Sequence, residues 1–156
     1  MVKIVKATIV DVPHLLAIQR RAFKPLYELY QDCNNPFLMT SSEMLRKISY
    51  KYGSYYKVLY EHKLCGAVYS FKMDESLFKI GLVYVEPSLQ GKGIAGQAIR
   101  LAEKNQPNIK SWEIDFPADQ LKNKHCYEKL GYVDTGKRES INDKLTLAYY
   151  RKTRCL

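Results

Sequence analysis

The chain reads as an α/β protein, a mixed and mostly antiparallel sheet of about seven strands with four helices. Three stretches lead to that class. Phe78 to Val85 is nearly apolar throughout, as a strand buried on both faces must be, and a glycine-bearing loop and a helical stripe follow it. Tyr55 to Tyr60 and Leu64 to Lys72 are rich in aromatic and β-branched residues and meet at Glu61-His62-Lys63, so they form a hairpin. The chain then returns from a helix through Pro107 to a further strand, Ser111 to Phe116, which makes a right-handed parallel crossover with Phe78 to Val85. Between these fourth and fifth strands the sheet can split to admit a ligand.

The remaining elements follow in order. Val2 to Thr8 alternates Val2 and Ile4 with Lys3 and Lys6, the period of a half-buried strand. Asp11 offers an N-cap, Pro13 falls in the first turn, and Leu15, Leu16, Ile18, Ala22 and Phe23 give the first helix its apolar stripe. Lys24 to Met39 holds Pro25 and Pro36 and is expected to be an aromatic and acidic connection rather than a clean helix. Its Tyr27, Glu28, Tyr30 and Asp32 are candidate substrate residues, a pocket wall that selects a cation; the alternative is an ordinary packed loop. Thr40-Ser41-Ser42-Glu43 is a capping box that opens a second helix over Ser41 to Lys51, with Met44, Leu45 and Ile48 inward. His62, at the hairpin tip, is a solvated turn residue rather than a base. The third helix, Gly91 to Lys104, turns Ile94, Ala98, Leu101 and Ala102 to one side. Helix four, Asp119 to Leu130, is closed by Gly131 in a left-handed cap. Tyr132 to Lys137 and Leu145 to Lys152 complete the sheet.

The chain's 156 residues are enough for one domain, 1–156, with a proper core and no staples. Its four cysteines form no C-x-x-C pair and have no histidine at zinc spacing, so no metal is expected and they read as reduced thiols of a cytoplasmic protein. The N-terminal apolar run is too short for a signal peptide and no stretch is long enough to span a membrane. A net charge of +9 is spread along the chain without an aromatic-interleaved recognition motif, which argues against nucleic acid as partner. The same charge would steer any anionic ligand. The oligomeric state is left open between monomer and homodimer.

The stretch Val83-Tyr84-Val85-Glu86-Pro87-Ser88-Leu89-Gln90-Gly91-Lys92-Gly93-Ile94-Ala95-Gly96 carries the chemistry. Glycines at 91 and 93 let the backbone approach a ligand, and the helix that follows leaves its first N–H groups unpaired, an arrangement suited to phosphate. Residues 91–96 match G-x-G-x-x-G, and Asp115 stands where a ribose-binding acid would, so a dinucleotide is one reading. Against it, five residues intervene between strand and glycines, and only sixty remain after Gly96 to finish a doubly wound sheet.

From Gln90, the residues Gln90-x-x-Gly93-x-Ala95 resemble the Q/R-x-x-G-x-G/A pyrophosphate loop of the GNAT acetyltransferases, and Val83-Tyr84-Val85-Glu86-Pro87 resembles that family's fourth strand and its exit. Lys122 to Tyr132, with Tyr127-Glu128-Lys129-Leu130-Gly131-Tyr132, is similar to its second motif. The resemblance implies a GNAT-like single-domain fold and an N-acetyltransferase that moves acetyl from acetyl-CoA to a primary amine of a small molecule or peptide. It implies that Gln90, Gly91, Lys92, Gly93, Ile94, Ala95 and Gly96 hold the coenzyme A pyrophosphate, with Lys92 either adding a charge or simply solvated. Val83, Tyr84 and Val85 would take the pantetheine arm as an added strand and offer an N–H to the oxyanion. Tyr127 would protonate the departing thiolate, unless it is only a core aromatic. Asn123 would contact the pantetheine, although family members often carry that asparagine at the position of Gln120.

Many members also place a glutamate base on strand four, where this chain has Gly81 and Leu82. Glu28, Asp32, Glu75 and Asp115 are the remaining candidates. Deprotonating an alkylamine at pH 7 costs roughly 4.6 kcal/mol, against about 1.4 for an α-amine, so without a strong base a low-pKa amine is the easier acceptor. A non-catalytic acyl-CoA-binding module is the alternative function.

Overall fold

In the computed structural model, which describes residues 1–155, seven strands hydrogen-bond into one sheet. They are β1 (Val2–Lys6), β2 (Gly53–Tyr60), β3 (Lys63–Lys72), β4 (Leu77–Val85), β5 (Ser111–Pro117), β6 (Val133–Ser140) and β7 (Thr146–Thr153). Their order is β1-β2-β3-β4-β5-β7-β6, and every neighbour pair is antiparallel except β4 with β5. The helices are α1 (Val12–Tyr30), α2 (Ser41–Ser49), α3 (Ile94–Lys104) and α4 (Leu121–Lys129). The mixed, mostly antiparallel sheet read from the sequence is what forms.

The parallel pair is short. It runs from Leu77↔Ser111 to Ile80↔Ile114 and stops, while β5 continues along β7 to Pro117↔Leu147. The sheet therefore opens from Gly81 on one arm and Asp115 on the other, between the two strands expected to part. A bulge marks the place: Tyr69 pairs with Leu82 and Ser70 with Ile80, which leaves Gly81 as the extra residue that bends β4. A Cβ at 81 would lie 2.6 Å from Phe71 Cε1, so any larger residue there would have to displace the Phe71 ring.

Each face has its own core. On one, α3 and α4 bury Ile94, Ile99, Ala102, Tyr127 and Leu130 against Val68, Ile80, Trp112, Ile114 and Phe116. On the other, α1 and α2 bury Leu15, Ile18 and Met44 against Tyr55, Ala67, Tyr69, Leu82 and Tyr84. Since Trp112, Ile114 and Phe116 occupy the first face, Glu113 and Asp115 must point to the second. That second side of β5 carries polar groups beyond the reach of the α1–α2 core.

Several boundaries differ from the sequence reading. The first helix does not end near Phe23; α1 runs through Pro25 to Tyr30, and the expected connection shrinks to residues 31–39. An interior proline costs about 3 kcal/mol. It is offset by what the last turns bury: Tyr30 is 2% exposed, Phe23 meets Tyr84 edge-on at 6.0 Å and Tyr27 stacks on Phe37 at 5.3 Å. Gln31, with φ 51, ends the helix. Asp11 does not cap α1 with its side chain; its carboxylate accepts from the Thr8 amide at 2.8 Å and the Lys57 ammonium at 3.0 Å. Thr40 caps α2 through the Glu43 amide at 3.2 Å, but the return bond from the Thr40 amide to Glu43 does not form among the described residues, and α2 ends at Ser49 rather than Lys51.

One buried ion pair secures α3 to the distal arm. Glu103, 4% exposed, accepts from Tyr132 Oη at 2.6 Å and from Lys152 Nζ at 2.8 Å. Lys152→Met leaves that carboxylate without its cation and is expected to destabilise the fold by about 3 kcal/mol, read as a lowered urea midpoint. An unchanged midpoint would mean the pair carries no stability.

Candidate active site

The free edge of β4 is where a ligand can join the sheet. Glu86 N–H bonds to Cys65 O at 2.7 Å, and pairs alternate along an antiparallel ladder, so Leu82 and Tyr84 direct their N–H and C=O groups at β3. The close approach agrees: a Cβ on Gly66 would lie 2.0 Å from Tyr84 O. Val83 and Val85 consequently direct theirs away from β3, into the gap that β5 has left. Val85 O is met there by Gln90 Nε2 at 3.1 Å. Tyr84, grouped with these valines in the sequence reading, offers the gap neither backbone nor hydroxyl. Its amide serves β3, and its Oη lies 3.0 Å from Tyr55 Oη in the α1 core, with burial pushing its pKa up.

Beyond the strand, Arg21 on α1 grips Glu86 with two bonds of 2.8 Å, from Nε to Oε1 and from Nη2 to Oε2, and this guanidinium holds the Glu86 carboxyl below its usual range. The chain then makes a turn at Pro87–Leu89 and reaches the glycines, with φ 83 at Gly91 and φ 77 at Gly93. Helix α3 starts at Ile94, not at Gly91, because both glycines are left-handed. The Gln97 amide is the first to be paired, to Gly93 O at 3.1 Å. Among the described residues, nothing accepts a hydrogen bond from the amides of residues 91–96. A Cβ at Gly91 would meet nothing within 4 Å, so the loop faces open space. Six free donors at a helix N-terminus, with room before them, fit a pyrophosphate. Lys92 is exposed, and the side chain of Gln90 braces the loop against Val85.

Helix α4 supplies the far wall. It packs on the start of α3, where a Cβ at Gly96 would lie 3.8 Å from Leu130 Cδ2 and 3.9 Å from Cys126 Sγ. Tyr127 is 7% exposed, its ring set edge-on against Phe116 at 5.2 Å and Tyr132 at 6.5 Å. Its hydroxyl has no hydrogen-bond partner among the described residues, and burial raises its pKa, with smaller contributions from Cys126 and Asp115. Asn123, one turn earlier, is half-buried on the same helix face.

On the α1–α2 side of the opening lies a polar floor that the sequence reading did not assemble. Asp115 accepts from Lys79 Nζ at 2.8 Å, and that ammonium also sits 5.2 Å from the Tyr149 ring centroid. Tyr149 donates its hydroxyl to Glu139 at 2.6 Å; burial first, then that carboxylate, raises its pKa. Of these only Asp115 was singled out from sequence. The alternation of Glu113 and Asp115 with Trp112, Ile114 and Phe116 was the available signal, since it announces one polar face. Tyr149 arrives from β7, thirty-four residues on, and no local pattern connects it.

The four candidate substrate residues scatter. Tyr30 donates its hydroxyl to Asp119 and accepts from Gln120 Nε2 at 2.9 Å, while its carbonyl accepts from Asn142 Nδ2 at 3.0 Å, so it straps the end of α1 to the distal arm. Burial and the Asp119 carboxylate push its pKa up to about 12. Tyr27 is half-buried on Phe37, Glu28 faces Lys24 at 4.0 Å on the exposed side of α1, and Asp32 accepts from Asn35 Nδ2 at 3.1 Å. Glu75, the other base candidate, is 93% exposed and bound to Lys72.

No helix is long and apolar enough to cross a membrane among the described residues, and no curated protein matches the chain by sequence. Solved structures do match in fold. The PaiA N-acetyltransferase from Thermoplasma acidophilum, in complex with coenzyme A, aligns over 99% of both chains at 16% identity with a TM-score of 0.75. RimL, a ribosomal L7/L12 alpha-N-protein acetyltransferase in complex with coenzyme A, aligns over 97% of this chain and 93% of its own, at 15% identity and 0.79. AAC(6')-Ib, in complex with ribostamycin and coenzyme A, aligns over 98% and 93%, at 18% identity and 0.76. The model of the acetyltransferase (GNAT) family matches residues 23–132, which take in the β4 edge, the glycine loop and the α4 motif, and the chain belongs to that family of acetyl-CoA-dependent acyltransferases.

Proposed function

We propose that the chain acetylates a primary amine of a small molecule or peptide, an α-amine in preference to an alkylamine, by direct attack of the amine on the thioester. The observation that carries this reading is the β4 edge at Val83 and Val85, which no strand pairs and where Gln90 alone meets Val85 O, beside six amides with no acceptor, residues 91–96. Acetyl-CoA supplies the activated acyl group. The loop amides of 91–96 bind its pyrophosphate, with Gln90 bracing them. The Val83 and Val85 backbone takes the pantetheine arm, and an N–H of that pair points where charge develops on the carbonyl oxygen. Tyr127 donates its hydroxyl to the leaving sulfur, and Asn123 lines the same wall. Asp115, fixed by Lys79 at the first β5 position past the parting, takes the proton of the attacking amine.

Isothermal titration with acetyl-CoA, paired with thiol release over a panel of amines, tests the proposal. Binding together with release on at least one amine is expected, fastest on α-amines. Binding without release on any of them would leave an acyl-CoA-binding module instead.

Glu28, near the end of α1, and Asp32, just past it, draw the ammonium form of the substrate toward the site by their charge alone. With both charges removed, Glu28→Gln with Asp32→Asn, the KM for the amine is expected to rise several-fold and that for acetyl-CoA to stay as it is. A parallel rise in both constants would assign these residues to packing.

A further inference from the structure

Helices α3 and α4 meet beside the loop of residues 91–96, and the groove between them carries two cations that the fold does not use. Gly96 is where the helices approach, with Leu130 Cδ2 3.8 Å and Cys126 Sγ 3.9 Å from the place of its absent Cβ. Arg100 follows Gly96 by four residues, so it shares that face of α3 about 6 Å further along the axis. Long side chains on a helix lean back toward its N-terminus, which for Arg100 is the direction of the loop. Lys129 follows Cys126 by three residues and shares its side of α4. Both charges act on the Cys126 thiol: burial raises its pKa, and Lys129 and Arg100 each work against that rise.

Arg100 and Lys129 are exposed, and neither forms an ion pair or a side-chain hydrogen bond among the described residues. The nearby carboxylates are engaged elsewhere. Glu103, three residues past Arg100, is buried and bound to Tyr132 and Lys152. Glu128 acts on Tyr150 of the distal arm, and Lys124, the half-buried cation of α4, acts on Asp134 of β6. Arg100 and Lys129 therefore remain as two free cations one helical turn from the candidate pyrophosphate loop.

Coenzyme A carries a further anion at that remove, the monoester phosphate on its ribose 3′ oxygen, one nucleoside away from the pyrophosphate. Such a group holds about −1.5 to −2 charge at pH 7 and offers three acceptor oxygens. We propose that Arg100 and Lys129 receive the 3′-phosphate of coenzyme A, so that the groove between α3 and α4 distinguishes this cofactor from nucleotides that share only its pyrophosphate. Arg100 presents a planar fork of donors to the phosphate oxygens, and Lys129 adds a point charge. The inference rests on the cofactor site at residues 90–96 and adds a second phosphate subsite to it. Because the 3′-phosphate takes no part in acyl transfer, the pair contributes to binding and not to the chemical step.

Isothermal titration with coenzyme A and with dephospho-coenzyme A, which lacks only the 3′-phosphate, tests the assignment. A charge-assisted hydrogen bond is worth about tenfold or more in affinity, so the unmodified protein is expected to prefer coenzyme A by about ten- to a hundredfold. In Arg100→Gln/Lys129→Gln the affinity for coenzyme A should fall to that for dephospho-coenzyme A, whose own affinity should stay as it was and thereby show that the loop and the fold are intact. Lys3→Gln/Lys6→Gln removes the same charge from β1, at the far edge of the sheet, and should keep the preference. A ratio near one in the unmodified protein, a ratio that survives in the Arg100/Lys129 variant, or a ratio lost equally in the β1 variant would overturn the subsite while leaving the pyrophosphate loop in place. Failure of both ligands to bind the unmodified protein would overturn the cofactor site and this subsite with it.

Discussion

Gly93→Val is expected to abolish measurable acetyl-CoA binding in a protein that still folds. Position 93 has φ 77, a conformation in which a β-branched side chain is strained, at a cost of about 1–3 kcal/mol. The protein itself leaves room, since the nearest atom to a Cβ there is Gln97 Nε2 at 3.8 Å. The damage therefore falls on the loop and the ligand rather than on the core. If the backbone relaxes to relieve φ, the amides around residue 93 turn away from their common focus; if it does not, the valine side chain stands among the donors. Each charge-assisted bond lost is worth roughly 1.5–3 kcal/mol, so losing two weakens binding by about a hundredfold or more. Gly93→Ala, unbranched, should lose less. Isothermal titration is the measurement, and unchanged affinity in folded Gly93→Val would remove the loop from the cofactor site.

The parts of this fold that could be read from sequence are those whose cause is local. Thr40 with Glu43 announces α2, Gly131 closes α4 with φ 98, and Glu61-His62 makes the hairpin turn with both residues left-handed, each because one backbone requirement is met by one or two adjacent side chains. The opening between β4 and β5 was legible for a similar reason, since a crossover in a largely antiparallel sheet leaves one parallel pair. What stayed hidden depends on partners remote in the chain. Pro25 would break an isolated helix, and α1 continues because its last turns pack Phe23 on Tyr84 and Tyr27 on Phe37 and because Tyr30 is tied to Asp119, Gln120 and Asn142 from the other arm. Which β4 residues face the gap depends on the parity of β3 pairing, so Tyr84 could not be separated from Val83 and Val85 beforehand. The floor of Lys79, Asp115, Tyr149 and Glu139 is likewise a product of sheet order.

Tyr127→Phe is expected to lower kcat by about 10²–10⁴-fold while changing acetyl-CoA affinity and stability little. The ring contacts with Phe116 and Tyr132 survive the substitution, and the hydroxyl it removes has no partner among the described residues, so no intramolecular hydrogen bond is lost. What the hydroxyl can do is constrained by its acidity. A phenol of pKa about 10 is already a weaker acid than a thiol of about 8.5, which makes complete transfer to a thiolate uphill by roughly 2 kcal/mol. Burial raises the Tyr127 pKa further and widens that gap. In the proposed reaction the hydroxyl therefore stays protonated and donates a hydrogen bond to the sulfur as negative charge gathers there, the amine's proton passing to Asp115 and the released thiolate taking its proton from water. Two consequences are measurable. The pH profile of kcat should show no ionisation from Tyr127 between about pH 6 and 10, because a pKa raised above the usual tyrosine value keeps the donor form intact throughout. The loss in the Phe variant should also shrink when the leaving thiol is made more acidic, since a better leaving group gathers less basic charge. A kcat equal to that of the unmodified protein would leave Tyr127 a core aromatic and the thiolate to depart unaided.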